Sequence, residues 1–465
     1  MFLPSLARAL AYVLSIGFLI GTARAAMPAA DPGRETLPSN DGWGAFPTTA
    51  LPQGTTGGSA ASSARTVTVT NRMELIAALA WPDATPKLIY VKGTIDANVD
   101  EAGKALNCKD YYRPDPATGE MYSPFAFLAM YDPAGPEGKD KGKEKKDPTG
   151  GQEDARAASH AAQEARVHIR VPANTTLFGL GEATIIGGWL DIAADVASGS
   201  QPMNVIVRNI NFEDTADCFP EWSPADGATG NWNSSYDSVS IRHSTNVWID
   251  HNRFADVRTL DESQPTWFGH RYQVHDGLLD ITNESDYVTV SWNQFVSHDK
   301  TMLIGNSDEA AADFGKLRVT LHHNLFENVG QRMPRVRYGR VHVYDNLYRI
   351  GGDTNYHSSW GVGVESRIYA ENNYFELSAG FGPMEVIDAK KGAGLTAIGN
   401  CWTEKAGCEP TDFIAVWNAK FDPDLKTDAG WTPTLYGEAR GAEPADFARQ
   451  RILDESGPGW TNKKK

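Results

Sequence analysis

The chain has 465 residues, of which 22% are charged and 41% hydrophobic, ordinary proportions for a globular protein. Its formal net charge of −16 excludes a nucleic acid as the natural partner, and its length allows one to three domains. A polyanionic ligand would need a local basic cleft and bound cations to overcome that charge.

Residues 1–25 have the form of a secretory signal. Arg8 supplies the positive charge, Leu10 to Ile20 is mostly apolar, and Ala23-Arg24-Ala25 is a small-x-small cleavage site. The apolar run falls short of the roughly 18 residues expected of a membrane anchor, and no later segment is long enough to span a bilayer. The mature chain is therefore expected to be secreted after cleavage near Ala25, with no membrane partner. Residues 26–465 are expected to form a single domain, because one repeat binds most of them together.

Residues 51–66, rich in Gly, Ser, Thr and Ala, are predicted to be loop. Arg72 to Ala80 is predicted to be a short helix capping an open solenoid end, whose edge must be covered. Leu88 to Val91 opens the first coil. Residues 132–166 form a low-complexity insertion whose lysine-rich run cannot offset ordering through burial. A mobile loop is expected there, with at most a short exposed helix from Asp154 onward. Trp222 and Trp232 lie in a predicted loop, where stacking on a sugar is one available role.

The four cysteines, Cys108, Cys218, Cys401 and Cys408, are free to form disulfides in an exported protein. Cys401 and Cys408 suit a small loop, whereas a Cys108–Cys218 pairing stays open. No CxxC or HxxxH spacing occurs, so no zinc site is expected. His322 and His323 would alternate faces on a strand and would not act as a two-ligand unit.

A motif of the form apolar-x-apolar-x-x-Asn-x-aromatic recurs through the middle of the chain. It occurs at Val247/Ile249/Asn252/Phe254, Val288/Val290/Asn293/Phe295, Val319/Leu321/Asn324/Phe326, Val341/Val343/Asn346/Tyr348 and Ile368/Ala370/Asn373/Phe375. Val205/Val207/Asn209/Phe212 is a looser copy. The five asparagines are separated by 41, 31, 22 and 27 residues. Alternation with a period of two indicates strands with one buried face. A spacing of 22 is too short for a propeller blade of about 40 residues and suits one coil of a parallel β-helix. Asn at such turns is ordinarily structural. After Phe375 the repeat fades, and 378–465 are expected to be loops and a tail along the outside.

Ahead of four motif copies stand short strands at Asp237–Ile241, Gly277–Ile281, Met302–Gly305 and Arg335–Tyr338. Stacked about 4.8 Å apart, they would form one sheet. Val336, Leu279 and Ile281 would point inward, leaving Asp280, Arg335 and Arg337 outward. Asp250 is expected to point outward from the neighbouring sheet. The acids and bases would then share an outer face, with the basic groups roughly 5–10 Å further along the axis. Asp276 and Asp280 would stand about 13 Å apart on a straight strand, so sharing an ion requires a bend at Gly277. Acids followed by Lys300 and three arginines suit a divalent cation bridging to an anionic ligand.

At these residues the sequence resembles calcium-dependent pectate lyases of polysaccharide lyase family 1. The motifs are WIDHN at 248–252, HDGLLDI at 275–281, HDKTMLIG at 298–305, RVTLHHN at 318–324 and QRMPRVRYG at 331–339. Weaker similarity runs from about Gly42, through LIYVKGTID at 88–96 and TTLFGLG at 175–181, to WGVGV at 360–364 and Phe375. The resemblance implies an all-β fold, a right-handed single-stranded parallel β-helix. It implies calcium held by Asp250, Asp276 and Asp280, with Asp237 as a further acid. It makes Arg332 the catalytic base and Lys300, Arg335 and Arg337 substrate-binding residues.

The activity so implied is β-elimination on polygalacturonate of plant cell walls, by a monomer. The C5 proton is removed and the 4-O bond is expelled, giving unsaturated oligogalacturonides. An arginine base is chemically demanding, since a guanidinium is ordinarily protonated; an alkaline optimum follows. The alternatives are a polygalacturonase-type hydrolase, which would need two carboxylates as acid and base or nucleophile, a calcium-independent pectin lyase, and a non-catalytic polysaccharide-binding solenoid.

Overall fold

The structure is a computed structural model that describes residues 31–134, 146–194, 203–352, 354–378, 380–392, 394–437 and 441–459. The expected signal segment and most of the lysine-rich run lie outside these. The fold is that of the compact unit Pro32–Lys465. No described helix is long and apolar enough to cross a membrane.

The chain winds as a parallel β-helix. One ladder runs through Thr245–Asp250, Asp286–Ser291, Arg318–His322, Arg340–Tyr344, Arg367–Glu371 and Gly394–Ile398. Its register pairs Val247 with Val288, Val319, Val341 and Ile368, all fully buried. A second ladder joins Arg253–Ala255, Gln294–Lys300, Leu325–Gln331, Leu347–Ile350 and Tyr374–Leu377. The third is an eight-stranded sheet from His168–Arg170 to Ile387–Ala389. It contains Val239–Arg242, Leu279–Thr282, Leu303–Ile304 and Arg335–Val336, as the predicted map requires.

The repeated Asn residues form a continuous buried ladder. The Asn252 amide donates to Asn293 Oδ1 at 2.9 Å, that of Asn293 to Asn324 at 3.0 Å, and that of Asn324 to Asn346 at 2.9 Å. Asn373 and Asn400 continue it. The residue before each of these Asn is left-handed: His251, Trp292, His323, Asp345 and Asn372 have φ of 51–56°, closing the corner between two strands. Each Asn therefore pairs backbone groups that the bend strips from the ladder. Asn209 is out of step, because Ile210 occupies the ladder position and donates to Asn252. Inside, Phe212, Phe254, Phe295, Phe326, Tyr348 and Phe375 stack with centroids 4.3–5.1 Å apart.

Three expectations need correction. The coils run one turn past Phe375, through Ile387–Ala389, Gly394–Ile398 and Cys401–Thr403. Helix Phe413–Asn418 then closes that end, with Phe413 fully buried against Trp360 and Phe375. The second half of the insertion, where at most a short exposed helix is expected, is the 16-residue helix Gln152–Val167, which is not exposed but buries Ala155, Arg156, Ser159 and Gln163. Trp222 and Trp232 are each 1% exposed, packed on each other across the hairpin Glu221–Ser223/Asn231–Asn233, so neither faces a sugar. Helix Arg72–Leu79 caps the other end, with Leu75 buried, and both disulfides, Cys108–Cys218 and Cys401–Cys408, are formed.

Candidate active site

The eight-stranded sheet presents the chemistry. Ile281 pairs in register with Ile241 and Ile304, and Ile304 with Val336; all point inward and are fully buried. The alternate positions, among them Ser240, Asp280, Leu303 and Arg335, therefore line the opposite face of the sheet.

Three carboxylates gather around Gly277. Asp237 Oδ1 accepts the Gly277 amide at 2.9 Å, and Asp237 Oδ2 accepts the Ser240 hydroxyl at 2.5 Å. Asp280 Oδ1 accepts the Leu303 amide at 2.9 Å. A Cβ on residue 277 would stand 2.6 Å from Asp280 Oδ1 and 2.8 Å from Asp237 Oδ1, so only glycine lets both acids close on this point. The strand begins at Leu279, so Asp276 is not held at straight-strand distance. Burial pushes the Asp237 carboxyl up to about 7, and the Asp276 charge pushes the same way. Burial, then Asp237 and Asp276, push Asp280 well above the usual range. Hard oxygen donors whose charges oppose one another fit a divalent cation such as calcium.

Asp250 is the one proposed ligand that the structure places elsewhere. It is fully buried on the neighbouring ladder, where its oxygens accept from Arg208 Nε at 2.7 Å and Ser291 Oγ at 2.6 Å and meet His251 Nδ1 at 2.6 Å. Burial alone would raise its pKa; the His251 and Arg208 charges hold it well below the carboxylate range. Asp250 is thus paired within the neighbouring ladder, and it is Asp237 that stands beside Asp276 and Asp280.

The basic side follows on the next coils. Lys300 Nζ donates to Asp276 Oδ1 at 3.2 Å. Arg332 has φ 63° and ends the run from strand Leu325–Gln331, ahead of Arg335–Val336. Its Nε is buried without a hydrogen-bond partner among the described residues, and its charge acts on both Asp237 and Asp280. Burial, then Arg337 and Arg332, lower the Arg335 guanidinium below its ordinary value. Arg337 is tied by Nε to Asp308 at 2.7 Å.

Several supporting residues escaped the sequence reading. A Cβ at 361 would sit 2.8 Å from Arg335 Cγ, and one at 363 would sit 3.0 Å from Arg337 Cγ. The glycines of WGVGV therefore make room for the two arginines, a role that their two-residue spacing one coil further on could have signalled. His298 Nε2 lies 2.7 Å from the Asp276 carbonyl and Nδ1 2.7 Å from Asp256, bracing the Asp276 loop. A groove of ≈ 760 Å³ adjoins, lined by Arg253, Asp256, Arg271, His298 and Asp299 among others.

A parallel β-helix that gathers carboxylates and guanidinium groups on adjacent coils has the fold and the charge pattern of a polysaccharide-cleaving solenoid. A family model described as pectate lyase matches residues 148–419. The pectate lyase of Bacillus subtilis (strain 168) is 41% identical over 459 residues, 97% of this chain and 99% of that one. Pectate lyase E of Dickeya dadantii (strain 3937) is 36% identical over 330 residues, 70% of this chain and 65% of the relative. A solved pectate lyase bound to hexasaccharide superimposes with a TM-score of 0.82 at 40% identity, over 93% of this chain and 100% of the other. The pectate lyase from Acidovorax avenae subsp citrulli gives 0.79 at 32% identity, over 96% and 99%. The chain belongs to the pectate lyase family and is a polysaccharide lyase.

Proposed function

We propose that the chain is secreted and cleaves α-1,4-linked polygalacturonate by calcium-assisted β-elimination, acting as a monomer. The observation that carries this is the meeting of Asp237, Asp276 and Asp280 with Lys300, Arg332 and Arg335 on adjacent coils, where the second ladder passes into the eight-stranded sheet. Asp237, Asp276 and Asp280 would hold Ca²⁺, which when bound polarises and orients a uronate carboxylate.

This chain's own groups do the rest. Lys300 and Arg335 place fixed positive charge where the C6 carboxylate gains negative character as C5 loses its proton. Arg337 docks a neighbouring uronate, for which its planar fork is well shaped. Arg332, in its neutral form, takes the C5 proton through a guanidine nitrogen; the electron pair forms the C4–C5 double bond, and the C4–O bond breaks with its pair on the leaving oxygen, which takes a proton from water. The buried, unpartnered Nε of Arg332 leaves that side chain uncommitted to the protein.

A hydrolase would work through two carboxylates flanking the bond, which leaves Lys300, Arg332 and Arg335 without a role. The test is incubation of the purified protein with pectate, reading absorbance of the unsaturated uronide with and without EDTA. Cleavage without that absorbance, or cleavage indifferent to EDTA, would reject the proposal.

A further inference from the structure

A second cluster of ligating groups lies at a coil corner, sharing no residue with the acid cluster around Gly277. His323, Asp345 and Glu443 each offer one atom, and these atoms lie within 4.8 Å of one another. His323 Nε2 is 3.4 Å from Glu443 Oε2 and 3.9 Å from Asp345 Oδ2. Donor atoms about 2.0–2.1 Å from a tetrahedral ion stand roughly 3.3 Å apart, so a small inward shift suffices. A cavity of ≈ 170 Å³ opens beside them, also lined by His322 and Arg451.

An independent observation points to a ligand. Asp345 is fully buried, and its Oδ1 has no hydrogen-bond partner among the described residues. Its other oxygen accepts the Glu443 amide at 2.8 Å. A buried carboxylate oxygen without a donor is costly unless a cation meets it.

The surroundings also bear on the imidazole. Asp41 Oδ1 stands 3.2 Å from His322 Nε2 but outside hydrogen-bond geometry, so it does not fix the His322 tautomer. His322 Nδ1 lies 2.9 Å from His323 Nδ1, and a cation at His323 Nε2 would select the tautomer in which His323 donates there. In that tautomer Nε2 of His323 has a lone pair directed at two carboxylates, an arrangement that a cation resolves.

We propose that His323, Asp345 and Glu443 bind a zinc-class divalent transition-metal ion, which ties the segment leading into helix Ala445–Glu455 to the coil corner. One imidazole with two carboxylates and room for water suits zinc, whereas calcium prefers an all-oxygen shell. The Arg451 guanidinium pairs with Glu443 Oε1, leaving Oε2 on the His323 side for the ion. The three ligands are 22 and 98 residues apart in sequence, brought together by coil register and by the C-terminal segment.

The experiment uses the full-length mature protein, stripped with chelator and titrated with ZnCl₂ in millimolar CaCl₂ by calorimetry. One tight equivalent of zinc is expected, with a higher melting temperature and X-ray absorption showing nitrogen and oxygen neighbours. Glu443→Gln, at a partly exposed side chain, should fold and cleave pectate as before. It should weaken zinc binding by at least the roughly 10–100-fold that loss of an outer-shell partner costs. Asp280→Asn should leave zinc binding unchanged. Absence of a tight equivalent, undiminished binding in Glu443→Gln, or loss of zinc in Asp280→Asn would each overturn the proposal.

Discussion

Arg208 donates through Nε to Asp250 Oδ2 at 2.7 Å inside a site closed to solvent, and the two are register partners on adjacent coils. Arg208 also packs over the Trp248 ring, 4.3 Å from its centroid, and reaches Glu35 at 2.7 Å. Removing the Asp250 charge leaves a buried guanidinium with one partner at the protein's rim. Asp250→Asn is therefore expected to destabilise the fold by about 3 kcal/mol, near the lower end for breaking a buried pair. The calcium dependence of the folded enzyme should not change. Denaturant melts combined with calcium-activation curves check this; a raised calcium requirement at unaltered stability would return Asp250 to the metal site.

Asp280 should behave in the opposite way. It is held by one backbone amide and crowded by two other acids, so its charge is unfavourable to the metal-free fold. Asp280→Asn relieves that repulsion. The expected outcome is unchanged or slightly higher stability without metal, together with a calcium requirement for activity raised tenfold or more, about 1.4 kcal/mol of lost binding. Wild-type calcium response in this variant would remove Asp280 from the metal site.

The contrast between these two acids shows how far the sequence could be read. The coil register was legible, because Val247 and Ile249 match Val205 and Val207 in the same repeat, and that alignment sets Asp250 beside Arg208. Following it one residue further would have assigned Asp250 its partner. The place of Asp237 depends on the non-repetitive approach to Gly277, where no periodicity guides the chain. The arginines were legible because Val336 fixes the strand's inward side. The last coil was legible too, since Leu395/Ala397/Asn400/Trp402 repeats the motif and Trp402 pairs in register with Phe375, but the closure by Phe413, which arrives from a helix, was not.

The Asn ladder makes its own prediction. Asn324 accepts the Asn293 amide through Oδ1 and donates through Nδ2 to the Val290 carbonyl and to Asn346, all buried. Asn324→Ala strands at least two of these groups away from water. At about 1–3 kcal/mol each, a loss of roughly 2–6 kcal/mol is expected. Thermal and denaturant unfolding measure it, and a loss under 1 kcal/mol would mean that the ladder is not what holds the corners.

Lys87 predicts a pH dependence of stability. Its ammonium is enclosed at the first coil and donates to the Ala173 carbonyl at 2.7 Å; burial lowers its pKa to about 8. The unfolded chain keeps the ordinary value of about 10.4. Between these values the unfolded state binds more protons than the folded state, so this group's contribution to stability rises with pH. Below about 8 its full cost is present. Lys87→Met should stabilise the protein at neutral pH and flatten the rise between pH 8 and 10. Parallel melts of the two proteins across that range decide it; identical pH slopes would refute the assignment.

Arg332 is the proposed base. It sits at a left-handed position between two strands, fixed on either side by the Gln331 ladder pairing and by the Met333 amide, which donates to the Ser359 carbonyl at 2.7 Å. Its backbone is thus held while its Nε stays unengaged. Arg332→Lys keeps a cation, and an amine loses its proton more readily than a guanidinium, but it moves the nitrogen away from the place where the guanidinium stands. If Arg332 serves only to bind substrate, the variant should chiefly raise KM. As the base, it should instead lose about 10²–10⁴-fold in kcat with KM little changed. The calcium response should stay as in the wild type, because Asp237, Asp276 and Asp280 are untouched. Steady-state kinetics on pectate across alkaline pH makes the measurement. A near-normal kcat with an unshifted pH profile would transfer the base role to Lys300, the adjacent cation on the same face.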